Sequence, residues 1–250
     1  MLLRKSLENH EWRQRCCINL IPSEMTQSAL VRLLQITDSC GRYAEHKELL
    51  AAFEQEVFYY QGTEFIAWAE DRLVEEMQRF LGYPLVETRI ISGQMANMTI
   101  FSALVDFRNR TDRRSEPRRI PLVMNNHISK GGHLSSQPMG ALRDYVAKDP
   151  VTEKYAVLNF PVRQDNPYRM DLEETANLLD RFDPELIILG KSMILHPEPV
   201  ANLRKLLDAK SSRPILMYDM AHVLGLIGPH FQNPYAEGAD IITGSTHKTF

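Results

Sequence analysis

Two short strand-like runs near the end of the sequence each finish in polar, reactive side chains. The run over residues 214–218 is followed by Asp219 and, three residues further on, by His222. The run over residues 240–243 opens into a polar turn that carries Lys248. An open α/β sheet binds its ligands outside the carboxyl ends of its strands. The two runs therefore predict an α/β domain in which a carboxylate, an imidazole and an amine share one edge of the sheet.

A carboxylate, an imidazole and a primary amine form the set that a pyridoxal phosphate site requires. The lysine forms the Schiff base, the carboxylate pairs with the pyridinium nitrogen, and the protein sets the electronics of the ring. Each residue by itself has a commoner structural explanation, because strand-end aspartates often cap helices or turns and lysines are usually solvated. A nucleotide-binding P-loop is excluded, since His247 and Ile242 occupy the positions where that loop needs glycine.

Several longer stretches are more specific than these single residues. Residues 218–227 read Tyr-Asp-Met-Ala-His-Val-Leu-Gly-Leu-Ile, and residues 243–249 read Thr-Gly-Ser-Thr-His-Lys-Thr. Shorter motifs precede them at residues 19–24, 43–45, 92–97 and 131–134. In identity, order and spacing, these motifs resemble the serine hydroxymethyltransferases, a family of fold-type-I pyridoxal phosphate enzymes. The resemblance implies a large α/β domain with a mainly parallel, seven-strand-like sheet, and a C-terminal small domain that is absent from this chain.

The resemblance also implies that the cofactor contacts residues spread along the whole chain. Lys248 is the expected Schiff-base lysine, and Asp219 is the expected partner of the ring nitrogen. His222 is expected near the phenolic oxygen, and His133 over the face of the ring. The remaining expected cofactor contacts are Ser92, Gly93, Gln94, Ser192, Ser245 and His247. The first three also open a predicted helix after a strand-like run, a pattern that offers backbone N–H groups to phosphate, although an ordinary turn is commoner.

A second group of candidate residues lies in the first quarter of the chain. By resemblance, the substrate end of the site is formed by Ser23, Glu24, Tyr43, Glu45 and Tyr60. Glu45 would exchange protons with the substrate hydroxymethyl group, and the tyrosines would reach across a dimer interface. By its position alone, Ser23 is better explained as the cap of a helix that begins near Met25.

Composition excludes several other classes of function. The net charge of −3 offers no general surface for nucleic acid or membranes, and no run reaches the ~20 apolar residues of a membrane helix. The first ten residues lack the apolar segment of a signal peptide. The three cysteines form no CxxC pair, and the eight histidines form no HExxH motif. We therefore expect a cytoplasmic protein with reduced thiols and no metal site.

The domain organisation is expected to be an arm followed by one large domain. Residues 1–50 are interpreted as an N-terminal helical and extended arm, and residues 51–250 as the cofactor-binding domain, incomplete at its C-terminal end. Further strands are predicted at residues 87–91, 121–125, 155–160 and 186–190, and a polar, arginine-rich loop over 108–119. Helices are predicted at residues 3–18, 26–37, 64–81, 92–105, 172–182 and 200–209.

The implied activity is reversible transfer of a one-carbon hydroxymethyl group between serine and glycine. Its cofactor is pyridoxal 5'-phosphate, tetrahydrofolate is the candidate co-substrate, and the expected assembly is a homodimer, with a second chain as a candidate source of the C-terminal domain. Three alternatives stay open. The first is a β-hydroxy amino acid aldolase or threonine transaldolase that needs no folate. The second is a non-catalytic pyridoxal-binding subunit that needs a partner chain. The third is an inert dimerisation fragment.

Overall fold

The computed structural model describes residues 1–49, 55–111, 118–229 and 231–250. Within these ranges the α-helices are α1 (Leu2–Glu11), α2 (Ala29–Leu34), α3 (Glu64–Leu81), α4 (Gly93–Thr111), α5 (Leu172–Arg181) and α6 (Val200–Asp208). The strands are β1 (His46–Leu49), β2 (Gln55–Phe58), β3 (Val123–Asn125), β4 (Val157–Asn159), β5 (Leu186–Leu189), β6 (Ile215–Asp219) and β7 (Ile241–Thr243). None of the described helices is both long enough and apolar enough to cross a membrane.

The main sheet has the order β4-β3-β5-β6-β7, and every neighbouring pair of its strands is parallel. Helices α5 and α6 form the crossovers from β4 to β5 and from β5 to β6. The predicted α/β class with a parallel sheet is therefore confirmed, and the described residues supply five of its strands. Strands β1 and β2 form a separate antiparallel hairpin.

The central strands β3, β5 and β6 of the main sheet are largely buried on both faces, whereas the edge strands β4 and β7 are mostly half-buried. All four residues of β5 are fully buried, and their side chains alternate between two apolar clusters. Ile187 packs on the side that includes residues of α5 and α6, whereas Ile188 packs on the side that includes Phe101 of α4. Continuous apolar runs are typical of parallel strands with helices on both faces. Because each fully buried aliphatic side chain stabilises the fold by roughly 1.5–3 kcal/mol, this packing fixes the strand ends in space.

The boundaries of α3, α5 and α6 follow the predicted signals closely. Helix α3 begins and ends at the predicted residues, and Gly82 closes it in the left-handed conformation with φ 70°. Asp171 caps α5 by accepting a hydrogen bond from the backbone N–H of Glu174 at 3.1 Å. The cap predicted at Ser23 is wrong, because α2 begins later and Ser28 accepts the capping bond from Val31.

Two predicted elements around α4 differ from the structure. Residues 87–91 form no strand, and Ile91 is 84% exposed, because a strand needs a hydrogen-bonded neighbour and no described residue pairs with this segment. Helix α4 continues past residue 105 to Thr111, so that the predicted arginine-rich loop starts later than expected. The rest of that loop, residues 112–117, lies outside the described residues, as do residues 50–54 of the predicted connector.

The N-terminal arm packs very differently from the sheet. Helix α1 buries none of its residues, and the same is true of the short α2. The apolar side chains of residues 26–37 that were expected to be available for burial are 48–79% exposed in this chain, namely Leu30, Leu33, Leu34 and Ile36. The arm therefore contributes an apolar surface and no core.

Candidate active site

Asp219 lies at the carboxyl end of β6, and its carboxyl group forms the centre of the site. The residue is 1% exposed, and it stands in register with Thr243 at the end of β7. Its Oδ2 accepts a hydrogen bond from the side-chain amide of Asn97 at 2.8 Å. Its Oδ1 accepts one from the backbone N–H of Ala221 at 3.0 Å. A buried carboxyl group with donors on both oxygens is held in one orientation, as the acceptor for a ring N–H would need to be.

Asn97 connects three elements at this edge of the sheet. Besides its bond to Asp219, its amide donates to the Ser135 hydroxyl at 2.8 Å, and its carbonyl oxygen accepts from the Thr243 hydroxyl at 2.5 Å. In the sequence, Asn97 stands out only as part of the motif over residues 92–97, which predicts no role for it. A signal was present, because Asn97 lies four residues from both Gly93 and Phe101 on one buried helix face, where a polar residue is unusual.

His133 contacts Asp219 directly, whereas the resemblance implies only that its imidazole covers the face of the cofactor ring. Its Nδ1 lies 2.5 Å from Asp219 Oδ2, so this nitrogen carries the proton when the carboxyl group is ionised. The His133 and His222 rings are 5.1 Å apart between centroids and nearly perpendicular, at 78°. The flat face of one imidazole and the edge of another therefore line the same space above the carboxyl group.

Lys248 lies half-buried in the turn that follows β7. Burial lowers the pKa of its amine, and the nearby Asp219 carboxylate acts in the opposite direction. No hydrogen bond or salt bridge joins Lys248 to any other residue that the structure describes. A lysine amine that is partly desolvated and has no salt-bridge partner has a larger neutral fraction near pH 7, and the neutral amine is the nucleophile.

The electrostatics at His222 favour its neutral form. Burial, followed by the positive charge of Lys248, lowers the pKa of His222 to about 4. At neutral pH this imidazole is therefore uncharged, with one nitrogen able to donate a hydrogen bond and the other able to accept one.

The turn that carries Lys248 is tied to the turn that carries His222. Ser245 is 5% exposed, and its hydroxyl donates to the backbone carbonyl of Ala221 at 2.9 Å. The Thr249 hydroxyl donates to the backbone carbonyl of His222 at 3.3 Å. Ser245 thus contributes its hydroxyl to the scaffold of the site, whereas the neighbouring His247 is exposed.

The predicted phosphate cradle forms the start of α4. The Ser92 hydroxyl accepts a hydrogen bond from the backbone N–H of Met95 at 3.2 Å, which makes Ser92 the cap of the helix. Gly93 is buried against the turn after β7, and a Cβ atom there would lie 3.4 Å from Ser245 Cβ. Gln94 is exposed. The first turn of α4 thus lies next to the turn that leads to Lys248.

Ser192 lies in the loop that follows β5 and is exposed. Its backbone N–H donates to the carbonyl of Gly131 at 2.8 Å, two residues before His133. The expected contact of its hydroxyl with the cofactor stays a prediction, but the backbone places Ser192 beside the His133 loop.

The candidate residues of the arm form a separate group. Glu24 pairs with Arg13 and accepts from the Asn19 side chain at 2.8 Å. Tyr43 and Tyr60 stack with ring centroids 5.3 Å apart, and the Tyr60 hydroxyl lies 3.5 Å from Glu45 Oε2. Ser23 is partly exposed, and the other four substrate candidates are exposed. Nothing in the described structure joins any of the five to Asp219, so this chain does not bring the two groups of candidates together.

The sheet-edge groups fit the chemistry of pyridoxal phosphate. A buried carboxyl group is available for a ring nitrogen, an imidazole for the ring face, a lysine amine for an aldehyde and a helix start for phosphate. No cluster of three or more metal-ligating side chains occurs in the parts of the chain that the structure describes. The arrangement can therefore hold an anionic, planar aldehyde through groups from four segments of the chain.

Comparison with known proteins agrees with this chemistry. The family model for serine hydroxymethyltransferase matches residues 3–250. The serine hydroxymethyltransferase of Pyrobaculum arsenaticum is 34% identical over 245 residues, which cover 98% of this chain and 50% of the relative. That of Staphylothermus marinus is 35% identical over 248 residues, or 97% of this chain and 49% of the relative. The chain spans about half the length of these curated relatives. A match over nearly its whole length shows that the chain belongs to the pyridoxal phosphate-dependent serine hydroxymethyltransferase family.

Proposed function

We propose that this chain carries the cofactor-binding half of a serine hydroxymethyltransferase, which moves a one-carbon hydroxymethyl unit between serine and glycine. The single observation that carries this proposal is the meeting of Asp219, His133, His222 and Lys248 at the carboxyl ends of β6 and β7. When bound there, pyridoxal phosphate supplies an electron sink for the bonds at the amino acid Cα. Membership of the family supports the same cofactor.

The residues of this chain would divide the work as follows. Lys248 would hold the aldehyde carbon of the cofactor through its amine, which the lowered pKa makes available as a nucleophile. Asp219, fixed by Asn97 and Ala221, would hold the proton of the ring nitrogen. His133 would cover the ring face, and neutral His222 would hydrogen-bond the phenolic oxygen.

The other proposed cofactor contacts surround the phosphate and the ring edge. Backbone N–H groups at the start of α4 would bind the phosphate, with Ser92 and Gly93 at the helix end and the Gln94 amide as an added donor. Ser192, Ser245 and His247 complete the proposed set. Because the Ser245 hydroxyl already donates to Ala221, its part would be to keep the turn after β7 in place.

The substrate end of the site is proposed to require a second subunit. Apolar side chains of the arm are exposed here, among them Leu30 at 65% and Trp12 at 53%, which supports burial against a partner. A homodimer would bring Ser23, Glu24, Tyr43, Glu45 and Tyr60 of one subunit to the sheet edge of the other. The half of the relatives that this chain does not match would come from further residues of the same protein or from a second chain.

The decisive test of the proposed function is chemical trapping of the cofactor. The chain is incubated with pyridoxal phosphate, reduced with borohydride, digested and mapped by mass spectrometry. We expect a pyridoxyl mass on the peptide that contains Lys248, and no such mass in a Lys248→Arg variant. An adduct on any other lysine as the main product would refute the assignment. Asp219→Asn is expected to retain the fold and to lose turnover in the complete enzyme.

A folate-free aldolase or threonine transaldolase is the second candidate. The observation that favours it is the segment over residues 191–199, in which Lys191 and Glu198 form a buried ion pair beside the His133 loop. Product formation from serine, measured with and without tetrahydrofolate in the completed enzyme, separates the two reactions. Folate-dependent turnover supports one-carbon transfer, and folate-independent cleavage of β-hydroxy amino acids supports the aldolase.

A further inference from the structure

Lys191 is a buried lysine that the proposed chemistry does not use. It stands two residues after the end of β5, where a lysine would ordinarily reach solvent, yet its side chain is 3% exposed. Its ammonium lies 2.5 Å from Glu198 Oε1 and donates to the backbone carbonyl of Tyr168 at 2.9 Å. The Glu198 side chain is only 2% exposed. Lys191 thus ties the loop after β5 to the segment before α6 and to the loop after β4.

The backbone of Glu198 is itself held in place by two hydrogen bonds to the Gln232 side chain. Its N–H donates to the Gln232 side-chain oxygen at 3.2 Å, and its carbonyl accepts from the Gln232 amide at 2.6 Å. Burial raises the pKa of the Glu198 carboxyl group, and the adjacent Lys191 ammonium opposes that rise. The carboxylate is therefore a fixed anchor, whose ionisation depends on the lysine beside it.

The loop that Lys191 anchors is paired with the loop that carries His133. Lys191 forms an antiparallel bridge with Gly132. The backbone N–H of His133 donates to the Gly190 carbonyl at 3.0 Å, and that of Ser192 donates to the Gly131 carbonyl at 2.8 Å. The backbone around His133 is therefore hydrogen-bonded to residues 190–192, and Lys191 in the middle of this segment forms the buried ion pair.

The loop after β5 also contacts Asp219, the acceptor of the hydrogen bond from His133. A Cβ atom on Gly190 would lie 2.8 Å from Asp219 Cβ and 3.1 Å from its carbonyl oxygen. The loop after β5 consequently contacts the backbone of both residues whose side chains meet at 2.5 Å. A small displacement of this loop would change the distance between imidazole and carboxyl group.

We propose that the Lys191–Glu198 ion pair is a positioning device, which holds the loop after β5 so that His133 stays bonded to Asp219. Buried ion pairs are generally no more stabilising than apolar residues of the same volume, so fold stability alone does not account for this one. The inference deepens the proposed function, because it rests on the role given there to His133. It assigns Lys191 and Glu198 an indirect part, since neither touches the reacting groups.

The test uses the whole chain without cofactor, so that its outcome does not depend on whether pyridoxal phosphate binds. Lys191→Met combined with Glu198→Leu replaces the ion pair by apolar side chains of similar size. The control is Lys210→Met, which also removes a lysine that bonds a backbone carbonyl, that of Leu179 at 2.6 Å, but lies away from the His133 loop. Circular dichroism confirms a cooperative melt for each variant.

The readout is the proton resonance of His133 Nδ1–H in ¹⁵N-edited NMR spectra, assigned by its absence in His133→Gln. A proton shared with a buried carboxylate resonates far downfield, and a loss of packing elsewhere would not remove it. We expect this resonance in the unchanged chain and in Lys210→Met, and its loss in the double variant. An unchanged resonance in the double variant would overturn the proposal. If the double variant does not melt cooperatively, Glu198→Gln takes its place, with the same two outcomes.

Discussion

Most candidate site residues at the sheet edge are buried or half-buried, whereas those on the N-terminal arm of this chain are largely exposed. At the sheet edge, Asp219 and Asn97 are buried and hydrogen-bonded to each other. On the arm, Glu24 and Tyr43 are exposed, and the bonds that they make are local. A site built on packed strand ends is preorganised within one chain. Side chains on an unpacked arm need to pack against another surface before their relative positions are fixed.

The two regions differ in the same way in their apolar side chains. Phe101 beneath the sheet edge is fully buried, whereas Trp12 on the arm is 53% exposed. Burial of apolar surface is what holds an element in place, because it is the dominant favourable contribution to folding. The comparison supports the proposal that the cofactor end of the site belongs to this chain, and that the substrate end would require a second subunit.

The largest expected effect tests this contrast in stability. Phe101→Ala leaves a cavity beneath the sheet and is expected to lower the free energy of unfolding by roughly 3–5 kcal/mol. Leu30→Ala on the arm, where the side chain is 65% exposed, is expected to change it by less than about 0.5 kcal/mol. Urea denaturation of the isolated chain measures both. Equal losses for the two variants would show that the arm has a core of its own.

An intermediate effect is expected from Asn97→Ala. The change removes one of the donors to Asp219 and the acceptor of the Thr243 hydroxyl, which leaves buried polar groups without partners. We expect a loss of roughly 1–3 kcal/mol, typical of an unsatisfied buried group. Thr99→Ala, at an exposed position on the same helix, is the matched control. A loss no greater than that of Thr99→Ala would contradict the role assigned to Asn97.

Because His222 is only half-buried, solvent screening reduces its electrostatic contribution, and the smallest expected effect is a pH dependence that arises there. Its pKa is about 4 in the folded chain and near 6.5 when the chain is unfolded, so the unfolded state binds a proton first as the pH falls. This contribution to stability is therefore fully present above pH 6.5 and is lost between pH 6.5 and about 4. NMR titration gives the pKa directly, and denaturation at several pH values gives the stability.

Two variants separate this contribution from general acid denaturation. His222→Asn is expected to flatten the dependence of stability on pH in that window. His10→Asn, on exposed α1, is expected to leave it as it is. A His222 imidazole that titrates near 6.5 in the folded chain would show that it is not desolvated beside Lys248.

Residues whose position depends on the local sequence were predicted well. The positions of Asp219 at the end of β6 and of Lys248 in the turn after β7 follow from the apolar runs before them, and the Gly82 stop of α3 follows from its backbone freedom. Residues whose role depends on a distant partner were missed. Asn97 acquires its function only because Asp219, 122 positions away in sequence, meets it across the sheet edge.

The sequence by itself determined the fold class, because apolar runs and turn residues are properties of short segments, and the resemblance of its motifs indicated the family and the cofactor. The tertiary structure alone decided which polar groups are buried together. It decided that Ser245 supports a turn, that Lys191 is locked to Glu198, and that residues 87–91 form no strand. Such outcomes depend on which segments become neighbours after packing, since a hydrogen bond or a β-ladder requires a partner that no single segment contains.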